Sequence, residues 1–202
     1  MKILIIGGSG TIGKKVSAHF ARNHDVLVAG RVSGDVRVDI AEPQTIEAMF
    51  ESVGGVDAAV CIAGDAKWDA FEQMSEADFY VGLKSKLMGQ VNLVRIGHHY
   101  LNDGGSFTLT TGILADDPVM LTTSAAMVNG AIHSFVRAAA LELKRGMRIN
   151  AVSSGLVEDA VQRYGAYFPG HNPIPMEKVV NGYVRSVEGK GTGRVIRIYD
   201  NG

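Results

Sequence analysis

The chain has 202 residues, with 20 Lys and Arg against 21 Asp and Glu and a formal net charge of −1. That length suits one domain over residues 1–202, and that balance leaves no electrostatic footprint for a nucleic-acid backbone or an anionic membrane. A single cysteine, Cys61, excludes an intramolecular disulfide, and the apolar run from Met1 to Gly7 is too short for a signal peptide or a membrane span, so a cytoplasmic protein is expected.

In chain order, short apolar runs alternate with longer amphipathic stretches. Strands are expected at 2–6, 25–30, 36–39, 57–62, 106–110, 148–153 and 193–198. Helices are expected at 11–23, 43–53, 75–101, 124–145 and 176–187. Within 75–101, Leu83, Leu87, Val91 and Val94 recur at helical spacing. Pro43 suits a first helical turn and Gly146 a stop. Most strands are too continuously apolar to be half-solvated, as in parallel sheets covered on both faces. The fold class is therefore α/β, a Rossmann-type doubly wound parallel sheet of about seven strands with helices on both faces. Residues 31–35 are too few for a crossover helix, so the third strand is expected to be abbreviated.

The first strand runs into Gly7-Gly8-Ser9-Gly10-Thr11-Ile12-Gly13 and then a helix. Gly8, Gly10 and Gly13 satisfy G-x-G-x-x-G, and Gly7, Gly10 and Gly13 give the three-residue alternative. Either reading supplies a tight turn, close backbone approach to a pyrophosphate and close helix packing, with the helix N-terminus offering free N–H groups. Gly8 to Lys14 also reads as a phosphate-cradling hydrolase loop, but Lys15 stands where those enzymes need Ser or Thr for magnesium. The second strand ends at Gly30-Arg31, with no acid for a ribose 2′-hydroxyl. An arginine there suits a 2′-phosphate, favouring NADP(H) over NAD(H). The histidines form no i,i+4 ligand pair and Cys61 has no thiol neighbour, so no metal is expected. Trp68, Phe71 and Phe79 flank a helix start and read as core or rim packing rather than a ligand-stacking set.

Further segments follow in a characteristic order: Asp39-Ile40, Cys61-Ile62-Ala63-Gly64, Ala140-Leu141-Glu142-Leu143, Met147 to Val152 with Gly155, and Thr192 to Ile196 before Asp200-Asn201-Gly202. Together with the glycine loop they resemble the short-chain dehydrogenase/reductase family over nearly the whole chain. The resemblance implies an oxidoreductase of small carbonyl or alcohol substrates, with Gly7, Ser9, Gly10, Thr11, Ile12, Gly13, Arg31, Asp39, Ile40, Ala63 and Gly64 at the dinucleotide. It also implies a homodimer or homotetramer paired through the helices at 75–101 and 124–145, the second of which is rich in Ala and Gly.

The family's catalytic positions are changed. Its Ser falls on Gly112, its Tyr on Ala125, its Lys on Asn129 and its Asn on Lys86. Alanine cannot donate the proton that tyrosine supplies to a developing alkoxide, and Gly112 cannot orient a carbonyl as serine does. The chain thus resembles an atypical short branch lacking the usual Ser-Tyr-Lys. Lys86 is the candidate replacement, and His133 reads as packing more than chemistry. Tyr164, Tyr167 and Phe168 lie where the family builds a substrate lid, and they suit either a ligand cover or a subunit contact. Two functions follow: an NADP(H)-dependent oxidoreductase with a degenerate tetrad, or a non-catalytic cofactor-occupancy sensor or partner-binding scaffold.

Overall fold

The computed structural model describes residues 1–199; the segment Asp200-Asn201-Gly202 lies outside the described residues. Seven parallel strands form one sheet in the order β3-β2-β1-β4-β5-β6-β7. They are β1 Lys2–Ile6, β2 Asp25–Gly30, β3 Val36–Arg37, β4 Val56–Cys61, β5 Leu101–Gly112, β6 Arg148–Ser154 and β7 Arg194–Ile198.

Apolar runs are continuous where a strand feeds two cores. In β1, Leu4 and Ile6 join one cluster while Ile3 and Ile5 join the other, and β4 divides Ala59 and Cys61 from Ala58 and Val60 in the same way. The period of two sends successive side chains to opposite faces, so a strand covered on both sides has no polar alternate. One face is covered by α2 (Pro43–Val53), α4 (Gly89–Gly97) and α5 (Thr123–Glu142), which contribute Phe50, Leu93, Ile132 and Val136 to the first cluster. On the other, α1 (Thr11–Phe20) and α7 (Met176–Val187) contribute Val16, Phe20, Val179 and Tyr183 to the second. Each such fully buried side chain contributes about 1.5–3 kcal/mol of transfer free energy.

The strand order reverses direction between β1 and β4, which opens a crevice at their carboxyl ends. The glycine loop after β1 and the segment 62–64 after β4 both emerge there.

Several expected bounds need correction. The third strand is shorter than 36–39: only Val36 and Arg37 pair, and the crossover closes without a helix because the Asp35 N–H donates to the Val28 carbonyl at 2.7 Å while the Val28 N–H donates to the Asp35 carboxylate at 2.9 Å. The single helix expected at 75–101 is interrupted. It comprises α3 (Glu76–Gly82), a π-helical segment (Leu83–Met88) and α4, and residues from Leu101 onward already belong to β5. The wider π turn shifts the buried face, so that Gln90 and Leu93 are fully buried while Val91 is only half-buried. Finally, α5 stops at Glu142 rather than at residue 145, because Leu143 is already extended and Arg145 and Gly146 take positive φ values of 56° and 69°.

Candidate functional site

The loop between β1 and α1 is shaped by its glycines. Gly7 has φ 82°, and a Cβ there would lie 2.6 Å from the Ile62 carbonyl oxygen. A Cβ on Gly13 would run into the carbonyl oxygen of Gly7, whereas one on Gly10 would meet nothing nearer than 3.4 Å. The spacing Gly7-Gly10-Gly13 therefore divides the work into turn, open backbone approach and helix packing. No side chain caps α1 at Gly10, so the N–H groups of its first turn remain free donors. Lys15 points elsewhere, toward Asp159 at 4.0 Å.

A groove of about 330 Å³ runs over this loop and the ends of β2 and β4. Gly7, Ser9, Gly10, Arg31, Asp39, Ile40, Ala63 and Gly64 line it. Thr11, Ile12 and Gly13, the first turn of α1, are not among its lining, and Ile12 packs against the second core. Arg31 reaches across to Asp65 at 3.6 Å, both side chains being exposed. Ser33, which sequence reasoning missed, donates its hydroxyl to Ser9 Oγ at 2.9 Å and lines the same groove. Asp39 is occupied locally: its carboxylate accepts the Ala41 N–H at 3.0 Å and its own N–H donates to Thr45 Oγ1 at 3.0 Å.

Gly64 and Asp65 also line a second, larger cavity of about 630 Å³. Lys86, Gly112, Ala125 and Asn129 all face it. The π segment carries Lys86 in from one side, packed so closely on Gly64 (φ 124°) that a Cβ on that glycine would come within 2.8 Å of the Lys86 Cα. Burial lowers the pKa of the Lys86 ammonium below the ordinary lysine value, with Asp65 opposing the shift. Asn129 enters from α5. It is 3% exposed, and its Oδ1 has no hydrogen-bond partner within the described residues. A buried acceptor left so is a position for a ligand donor.

Behind these groups stands a polar network with no motif to announce it. His133 Nε2 pairs with Thr111 Oγ1 at 2.8 Å, and burial lowers the imidazole pKa, Asp116 partly offsetting it. Asp116 accepts from Arg197 Nε at 2.8 Å and from the Tyr199 hydroxyl at 2.7 Å, and Arg197 holds its carboxyl at about 2. Tyr199 also pairs with Ser153 Oγ at 2.6 Å, linking the ends of β6 and β7 to the segment after β5.

The aromatic residues are regrouped by the fold. Phe71 is 69% exposed and Phe79 half-buried, but Trp68 leaves them and lines the inner cavity. Its ring lies 5.5 Å from Tyr164, 5.7 Å from Tyr167 and 6.4 Å from Phe168. Tyr164 and Tyr167 therefore form the cavity's outer wall together with Trp68. Packing between residues a hundred positions apart is not visible in one chain's pattern. Among the described residues, no group of three or more His, Cys, Asp or Glu could hold a metal ion, and no helix is long and apolar enough to cross a membrane.

Residues 9–174 match the family model described as Enoyl-(Acyl carrier protein) reductase. The chain is 26% identical over 152 residues to Glucose and ribitol dehydrogenase homolog 2 of Arabidopsis thaliana, covering 70% of this chain and 53% of that protein, so it spans about half the length of that curated relative. The structure is similar to that of the protein lin1944 from Listeria innocua, with TM-score 0.97, 44% identity, and coverage of 98% and 100% of the two chains. It is also similar to a small-chain dehydrogenase in complex with NADPH, with TM-score 0.87, 26% identity, and coverage of 100% and 97%. With this family match over most of its length, its seven-stranded parallel sheet and its glycine loop at the β1–β4 crevice, the chain belongs to the short-chain dehydrogenase/reductase family.

Proposed function

We propose that the chain is a single NADP(H)-binding unit that carries out oxidoreduction of a small carbonyl or alcohol substrate without the family's Ser, Tyr and Lys. The reading rests on one juxtaposition: the groove over Gly10 and the cavity holding Lys86 and Asn129 meet at Gly64 and Asp65. The groove fits a dinucleotide. Gly10 leaves the loop open to a pyrophosphate, the uncapped turn of α1 offers donors, and Asn129 Oδ1 awaits a hydroxyl such as that of a ribose. Arg31, with the Ser9 and Ser33 hydroxyls beside it, suits a 2′-phosphate, and a structurally similar dehydrogenase is described in complex with NADPH.

A nicotinamide cofactor bound across this junction supplies the two electrons of the reaction. Everything else falls to the protein. Where the family places serine and tyrosine, Gly112 and Ala125 have no hydroxyl to donate. Lys86 and Asn129 reverse the family's Asn and Lys, so the cation enters from the π segment instead of from α5. Its lowered pKa makes the Lys86 ammonium a stronger acid than a surface lysine, fit to hold an oxyanion and to pass it a proton. Asn129, neutral and buried, takes the ribose-holding role by accepting rather than donating.

Loss of the tyrosine acid typically costs about 10²- to 10⁴-fold, so ordinary neutral aldehydes and ketones should turn over very slowly or not at all. The test follows NADPH oxidation over a panel of aldehydes, ketones and enoyl thioesters with wild type, Lys86→Ala, and the triple variant Gly112→Ser, Ala125→Tyr and Asn129→Lys. Activity on some panel member that disappears in Lys86→Ala supports the reading. Turnover of ordinary ketones in the usual enzyme range of about 1 to 10³ per second, undiminished in Lys86→Ala, overturns it. The sensor reading draws on the same Gly112 and Ala125, and gains if NADPH binds and no panel member is consumed.

A further inference from the structure

We propose that the inner cavity selects a carboxylate-bearing aromatic substrate, with Arg163 holding the carboxylate; this rests on reading that cavity as the substrate half of the site. Four charged residues line it: Asp65, Lys67, Lys86 and Arg163. Two are already engaged. Lys67 pairs with Asp69 at 3.3 Å, and Asp65 faces Arg31 at 3.6 Å on the groove side. Lys86 and Arg163 have no carboxylate within 4.0 Å among the described residues. Arg163 instead rests against the Tyr164 ring, 5.0 Å from its centroid. Lys86 feels Asp65 but is ion-paired to no carboxylate among the described residues, and Arg163 is exposed at the rim, so the cavity lining carries an excess of positive charge that favours an anionic guest.

The remaining wall gives that guest its shape. Trp68, Tyr164 and Tyr167 present flat apolar surface, and Leu114 and Ala125 close the back. A volume of about 630 Å³ is that of a small-molecule pocket. With the reacting carbonyl at Lys86, a ring along the aromatic wall places a substituent on its far side toward Arg163, which sits on the short helix α6 (Val161–Tyr164) at the cavity rim. Guanidinium and carboxylate match as a two-bond fork, which no other cation in the cavity provides.

Trp68 is the chain's only tryptophan, so its fluorescence reports binding directly. The probes are 4-formylbenzoate and 4-formylbenzamide, alike in shape and unlike in charge, titrated into the full chain saturated with NADP⁺. The carboxylate should bind about two- to fivefold more tightly than the amide, as one charge-assisted contact at an exposed side chain predicts, and the preference should shrink as salt is raised. Arg163→Gln should bring the ratio close to one without changing amide affinity, while Arg163→Lys keeps part of it and Lys67→Gln, whose cation is already paired, keeps nearly all. Equal binding of the two probes by wild type, or a ratio that survives Arg163→Gln, overturns the proposal. Because binding is read without turnover, a protein that prefers the carboxylate yet never oxidises NADPH defeats the oxidoreductase reading and leaves Arg163 selecting a carboxylate ligand rather than a substrate.

Discussion

On the proposed NADP(H) reading, specificity turns on a single side chain. Arg31 is exposed and already leans on Asp65 at 3.6 Å, so a contact with a 2′-phosphate would replace a weak ion pair. Arg31→Ala should weaken NADPH binding by about 1–2 kcal/mol and leave NADH nearly unchanged, as measured by titrating both cofactors into both proteins. Equal wild-type affinities for the two would remove the NADP(H) preference. Asp116 makes a contrasting case. Arg197 holds its carboxyl at about 2, below its ordinary value, so the unfolded chain binds the proton first as pH falls. The stabilisation is complete above the ordinary carboxylate range and is lost as pH drops toward 2. Asp116→Asn should cost about 1 kcal/mol near neutral pH, discounted for partial exposure, and the gap to wild type should close in urea titrations as pH falls from about 4 to 2.

His133 obeys the same linkage at a more accessible pH. Burial depresses its pKa, so the folded chain keeps it neutral while the unfolded chain takes up a proton on falling through the ordinary histidine range. Wild type should lose stability as pH falls below about 6.5, and His133→Gln should flatten that slope; parallel slopes would show that the imidazole does not titrate between the two states.

At the scale of elements, the π segment is what carries Lys86 into the inner cavity. Ser75 starts α3 with a capping box through Asp78, and the six residues Leu83–Met88 then widen the helix before α4 resumes. The extra residue brings Lys86 against the backbone of Gly64. With φ 124° and no room for a Cβ, Gly64 joins the two lobes of the site. Gly64→Ala should destabilise the protein by about 1–3 kcal/mol in denaturant titration and, on the proposed reading, should also disturb any activity that depends on Lys86. An unchanged midpoint would mean that the segment can move aside without cost.

For the whole molecule, a second wide groove of about 890 Å³ runs between α4 and α5, lined by Val91, Val94, Phe135, Ala138, Ala139 and Leu143 among others. Leu141 beside it is 87% exposed, and a Cβ on Gly130 would meet nothing within 4 Å. Such a face, with Arg95, His98, His99, Glu142, Lys144 and Arg145 beside its apolar side chains, suits a twofold partner. Light scattering at micromolar concentration should give at least twice the 21.5 kDa of one chain, and Leu141→Glu should shift the species toward the monomer. A single 21.5 kDa species for wild type would refute this pairing.

The sequence by itself determined the seven strands, the doubly wound class and the position of the glycine loop, because these are local: burial on both faces writes an unbroken apolar run, and a tight turn needs glycine where it occurs. It also determined the absence of hydroxyls at Gly112 and Ala125, since a residue's chemistry needs no neighbour. The tertiary structure alone decided which residues share a cavity. Lys86 and Asn129 lie 43 positions apart and face the same space only because α5 packs against the π segment. Trp68 finds Tyr164, and Asp116 finds Arg197 and Tyr199, through contacts that span about half the chain. The π turn and the early end of α5 had no periodic signal, for each is settled by packing between segments rather than by the order of residues within one, whereas the short connection at 31–35 already pointed to the abbreviated β3.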